Sequence, residues 1–241
     1  MHIGILKTDA VRPEWVSEFG EYPDMFERLV LAADPSATFS VWDVEEGVYP
    51  SDSDVDTVDG FIITGSKSSA YADKEWIRNL ERLVQELHAK RKKMVGICFG
   101  HQVIARALGG TVAKSDKGWG VGVNVYNVSE LPVQGDDEIR GGGSGFLKLV
   151  ASHQDQVTVL PPGARTVVSN DHCENAGFVV GDHVLTLQGH PEFSAEYSEA
   201  IMAFRHDMIG AERVSQGRAS LVTHQHEGPR VARWMVDFLS A

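Results

Sequence analysis

A chain of 241 residues that is 42% hydrophobic and 23% charged has the apolar content to build a substantial core. Its formal charge of −12, from 34 acidic against 22 basic residues, repels polyphosphate and anionic lipid and argues against nucleic acid or a membrane as partner. Two cysteines, Cys98 and Cys173, are too few for a disulfide framework and fit a reducing, cytoplasmic setting in which a thiol persists.

Residues 2–6 form a short apolar run that predicts a buried strand, without the basic flank and long apolar stretch of a secretory leader. Phe26, Leu29, Val30 and Ala33 then fall at helical spacing within residues 22–33. A second strand is expected over residues 38–44, and the acidic stretch 51–59 reads as a solvated connection. Residues 60–64 are continuously apolar, as in a strand covered on both faces. Asp73 is a candidate cap for a helix whose stripe is Trp76, Leu80, Leu83, Val84 and Leu87, closed by the basic residues 90–93. A strand over 94–97 and a helix through Val103, Ile104, Ala107 and Leu108, ended by Gly109 and Gly110, complete the regular alternation. Strands and helices in that order imply an α/β fold with a doubly wound, mostly parallel sheet and helices on both faces.

The second half changes character. Residues 121–128, 146–151, 156–160, 166–169, 177–180 and 184–187 are short strand candidates separated by turns, which suggests antiparallel pairing or a smaller antiparallel extension. The glycine-rich tract 141–145 reads as a surface loop and not a domain linker, since neither side holds a complete sheet. Helices are expected near 194–209 and 228–240, and the whole chain, 1–241, reads as one domain without internal repeats.

Chemistry concentrates in Gly96-Ile97-Cys98-Phe99-Gly100-His101-Gln102. A nucleophile between glycines, after a strand and before a helix, is an elbow: the glycines allow a sharp turn and leave room beside the sulfur. The helix start directs unpaired backbone N–H groups and a positive dipole end at Cys98, which favours thiolate, the reactive form. Near the end of the sheet stands Leu187-Gln188-Gly189-His190-Pro191-Glu192-Phe193. A strand delivers His190 to a strand end, and Glu192, two residues on, returns to the same face. Glu192 can hold one imidazole nitrogen and leave the other for Cys98.

These two segments resemble the class I glutamine amidotransferase family, which includes glutaminase domains and γ-glutamyl hydrolases, and the resemblance extends over nearly the whole chain. It implies the family's flavodoxin-like fold, with Cys98 as nucleophile, His190 as general base and acid, and Glu192 as orienting carboxylate. It further implies an oxyanion hole from backbone N–H groups at Phe99 and the Gly65-Ser66 turn, and a glutamine-binding role for Gln102. The family usually has two glycines after its third strand, whereas this chain has Gly65 followed by Ser66. Trp119, in Lys117-Gly118-Trp119-Gly120, and His153 and Asp155, in Ser152-His153-Gln154-Asp155, match segments that line the family's pocket. Trp119 and Asp155 read equally well as a packed aromatic and a turn residue.

The implied reaction is acyl transfer from a γ-glutamyl amide to cysteine and then to water, with no cofactor. The chain length leaves no room for a synthetase domain. That leaves a stand-alone γ-glutamyl hydrolase or peptidase, a glutaminase subunit feeding a separate synthetase partner, or a catalytically silent regulatory protein on the same fold. The stand-alone length, Phe99 and the Lys-Gly-Trp segment resemble independent hydrolases. His101 is expected to follow its helix away from the sulfur. His172, Cys173 and His183 lack a metal-ligand spacing, and residues 224–227 read as a solvated loop.

Overall fold

In the computed structural model, which describes residues 1–129, 131, 133 and 145–241, a nine-stranded sheet runs through the molecule in the order β2-β1-β3-β4-β11-β10-β9-β6-β7. Its parallel part comprises β1 (His2–Lys7), β2 (Thr38–Asp43), β3 (Gly60–Ile63), β4 (Lys93–Ile97) and β11 (Val184–Leu187). The antiparallel part continues the same sheet through β10 (Gly177–Val180), β9 (Ala164–Ser169), β6 (Gly120–Val128) and β7 (Gly145–His153). A separate ribbon pairs β5 (Thr111–Lys114) with β8 (Asp155–Val159). Most of the 141–145 tract lies outside the described residues; Gly145 opens β7.

The helices are α1 (Pro13–Phe19), α2 (Tyr22–Leu31), α3 (Asp52–Thr57), α4 (Glu75–Ala89), α5 (Phe99–Ala107), α6 (Ala195–Phe204), α7 (His206–Ile209), α8 (Ala211–Thr223) and α9 (Gly228–Ser240). Alternating side chains of one strand feed opposite faces: Ile3 and Ile5 of β1 pack with Phe26, Val30, Trp234 and Phe238 under α2 and α9. On the other face Leu6, Phe61 and Ile63 pack with Leu80, Val84, Val103 and Ile104 of α4 and α5. The doubly wound arrangement expected from the sequence is therefore present.

Three local expectations are corrected. Residues 52–57 form a helix rather than a bare connection, because Ser51 and Asp54 close a reciprocal capping box. Helix α4 starts after Lys74, with no side-chain cap, and Asp73 pairs with Arg78 instead. The loop at 224–227 is tied down: Glu227 accepts from the Lys148 amide at 2.8 Å, and His226 contacts the Pro191 carbonyl at 3.1 Å.

Candidate active site

The carboxyl ends of β1, β3, β4 and β11 lie side by side along one edge of the sheet, next to the point between β1 and β3 where strand order reverses, a position at which open α/β sheets form crevices. Cys98 follows β4 and sits at φ 53°, ψ −101°, a conformation that non-glycine residues rarely adopt. It is pinned there because its amide donates to Leu187 O at 2.8 Å and that of Gly100 donates to Thr64 O at 3.1 Å. A Cβ on Gly100 would stand 2.2 Å from the Ile63 carbonyl oxygen, so the elbow needs glycine at that point. Phe99 occupies the first turn of α5, where backbone N–H groups lack intrahelical partners, while its ring is buried against Trp76.

His190 leaves β11 and bridges to β7, its amide donating to Val150 O at 2.8 Å. Its Nδ1 lies 2.8 Å from Glu192 Oε1, and its ring and Cys98 line the same narrow recess. Burial alone would lower the imidazole pKa, but the Glu192 carboxylate, followed by Cys98, outweighs it and raises the pKa to about 10. The ring is further fixed by Phe193, stacked at 3.9 Å between centroids and 7° between planes. A Cβ on Gly65 would lie 3.0 Å from His190 Cε1 and 3.7 Å from Cys98 Cβ, which explains glycine in the facing turn.

A cleft of about 890 Å³ opens over Cys98. Ser66, Gln102, Trp119, His153 and Asp155 all line it, so each substrate-binding candidate reaches the same cavity as the cysteine. Gln102 Nε2 donates to Asp155 O at 2.9 Å and to Gln188 Oε1 at 3.0 Å. Asp155 accepts from the Tyr71 hydroxyl at 3.0 Å, tying the loop after β3 to β8. Burial lowers the His153 pKa to about 3, so that ring is neutral. His101 turns away into the core, with Nδ1 2.8 Å from Thr186 Oγ1, and burial lowers its pKa to about 3. Cys173 is also buried outside the cleft, and burial pushes its thiol up to about 12.

Sequence reasoning missed Asp9, Lys67, Phe193 and Arg205. Asp9, only 2% exposed, accepts from the Lys67 amide at 2.7 Å and pairs with the Lys67 ammonium, anchoring the turn that contains Gly65 and Ser66. Its place just past an apolar strand was an available signal. Arg205 follows α6, and no local pattern announces that a helix end so far along the chain returns to Cys98. Among the described residues, no three or more His, Cys, Asp or Glu side chains form a group that could hold a metal ion. Nor is any described helix long and apolar enough to cross a membrane.

Residues 37–207 match the family described as "Glutamine amidotransferase class-I". Gamma-glutamyl peptidase 3 of Arabidopsis thaliana is 37% identical over 164 residues, 64% of this chain and 64% of that one. The glutamine-hydrolyzing GMP synthase of Aromatoleum aromaticum is 33% identical over 162 residues, which are 64% of this chain but 30% of that one. The crystal structure of a glutamine amidotransferase from Thermotoga maritima superposes with a TM-score of 0.72 at 20% identity. That superposition covers 100% of this chain and 96% of the other and speaks for the fold.

Proposed function

The chain belongs to the class I glutamine amidotransferase family, and on that premise we propose that it hydrolyses γ-glutamyl amide bonds as a stand-alone enzyme. Cys98 is the nucleophile, His190 the general acid and base, and Glu192 the carboxylate that orients the ring. The observation carrying this reading is His190 held by Glu192 at 2.8 Å and sharing one recess with Cys98, which also lines the open cleft. The reading takes residues 1–241 as one domain, since strands from both halves share a single sheet.

The Cys98 sulfur attacks the γ-carbonyl carbon, and the charge on oxygen is held by backbone N–H groups of Phe99 and the Gly65-Ser66 turn, each worth roughly 3 kcal/mol in the transition state. The C–N bond breaks as His190 protonates the departing nitrogen, leaving a glutamyl thioester. Neutral His190 then takes a proton from water, whose oxygen attacks the thioester; glutamate leaves and the thiol is restored. The cationic His190 favoured by Glu192 is the form that the first proton transfer requires. No cofactor enters these steps.

The similarity to Gamma-glutamyl peptidase 3 favours peptide-like substrates. A second reading, a glutaminase subunit delivering ammonia to a separate synthetase, draws on GMP synthase, in which the matched part is 30% of a longer chain. The test is turnover of glutamine against a panel of γ-glutamyl amides and peptides, with Cys98→Ala as control. Cleavage of conjugates well above glutamine, lost by at least ~10³-fold in the variant, supports the hydrolase. Glutamine-only turnover supports the subunit reading, and turnover equal in the variant would sink the nucleophile assignment.

A further inference from the structure

Cations gather around this cleft although the chain carries a formal charge of −12. Lys67, Lys114, Arg205 and Arg213 line it, against Asp155 as the one carboxylate side chain among its described lining residues. Lys67 is paired with Asp9, and Arg213 donates to the Lys117 carbonyl at 3.1 Å. Arg205 differs. It is half-buried, its guanidinium carbon lies 5.8 Å from the Trp119 ring centroid, and no described carboxylate pairs with it.

Arg205 also lines the narrow recess that adjoins Cys98 and His190, which Gln102, His153 and Asp155 do not reach. In the proposed mechanism His190 protonates the leaving nitrogen, so the His190 side of the cysteine is the side on which the amine departs. A half-buried guanidinium without a carboxylate partner keeps donors free for an anion. Its planar donor fork suits a carboxylate. The apolar ring of Trp119 and the exposed Met208 lie in the same cleft, able to cover a side chain on the departing group.

Resting on the hydrolase reading above, we infer that this side of the cleft is a leaving-group subsite. It selects γ-glutamyl amides whose departing amine bears its own carboxylate, as an amino acid or peptide does, and Arg205 is the specificity-determining residue. Arg213 and Lys114 add long-range attraction at the rim. Glutamine, whose leaving group is ammonia, leaves the subsite empty.

The experiment compares kcat/KM for γ-glutamyl-alanine and γ-glutamyl-alanine amide, which differ only in the leaving group's carboxylate. The native protein is expected to favour the acid by ~10- to 100-fold, the worth of one charge-assisted hydrogen bond. Arg205→Gln should bring the acid-to-amide ratio towards one, through KM more than kcat, and Arg205→Lys should restore part of it. Equal turnover of acid and amide by the native protein overturns the subsite while leaving the hydrolase reading intact. A ratio that persists in Arg205→Gln, with both substrates weakened alike, overturns it as well, because Arg205 would then serve the glutamyl half or the fold. Failure of the native protein to cleave either compound overturns both readings.

Discussion

The parallel and antiparallel halves of the sheet contribute to the cleft in different ways. From the parallel half come Asp9, Gly65, Cys98 and His190, each within three residues of a strand's carboxyl end. Their positions are set by backbone pairing, such as Cys98 N to Leu187 O and Gly100 N to Thr64 O. The antiparallel half and the segments around it supply Trp119, His153, Asp155 and Arg205, which stand on turns, strand ends and a helix end. A backbone ladder fixes atoms to tenths of an ångström and suits bond-breaking groups. Side chains on the rim can change without disturbing the ladder and suit substrate choice.

The largest expected effect tests the parallel half. Glu192→Gln keeps the shape but removes the charge that raises the His190 pKa, and kcat should fall by ~10³- to 10⁴-fold. The direction with pH is also set. His190 titrates near 10, above the ordinary value of 6.5, so its charged form and the stability it contributes are complete below about 6.5 and are lost as pH rises through about 10. In Glu192→Gln the alkaline limb of kcat/KM should move to lower pH; a limb that stays in place would remove Glu192 from that role.

A smaller effect separates the cysteines. Cys98 lines the cleft, whereas Cys173, in the loop after β9, is 1% exposed with a thiol pushed up to about 12 by burial. Iodoacetamide at pH 8 should alkylate Cys98 at least ~100-fold faster, read by peptide mass spectrometry. Equal rates would mean that the two halves do not differ in reactivity as described.

The smallest effect contrasts two buried histidines. His190 has a carboxylate at 2.8 Å, while His101 has the Thr186 hydroxyl at the same distance and is held neutral, at about 3. Because that value lies below the ordinary 6.5, the stability tied to neutral His101 is present above pH 6.5 and is lost as pH falls towards 3. His101→Gln should reduce the slope of unfolding free energy with pH by about 1.4 kcal/mol per pH unit in that window. Urea titrations from pH 4 to 7 would show it, and an unchanged slope would place the acid sensitivity in other groups, His153 first.

Short-range patterns were the legible ones. The elbow around Cys98 needs only a strand, two glycines and a helix start, all within seven residues. The His190–Glu192 pair needs only a spacing of two. Helix α3 was legible in principle, through Ser51 and Asp54, but its acidic composition hid it. Helix α8 buries only Val214 and Gly217, too thin a stripe to be read from periodicity. Strand β5 shows one buried residue in four and pairs with β8 more than 40 residues away.

By itself the sequence pointed to the fold class, the candidate nucleophile and its histidine–carboxylate pair, because apolar periodicity and local turn chemistry act over a few residues. Only the tertiary structure decided which cations face the cleft, that Phe193 stacks on His190, and that Asp9 braces the turn at Gly65. Those contacts join residues up to 58 positions apart, or depend on where a helix ends, and chain proximity carries no record of either. The division follows from physics: backbone propensities are written locally, whereas burial and electrostatic fields arise only when distant segments share one space.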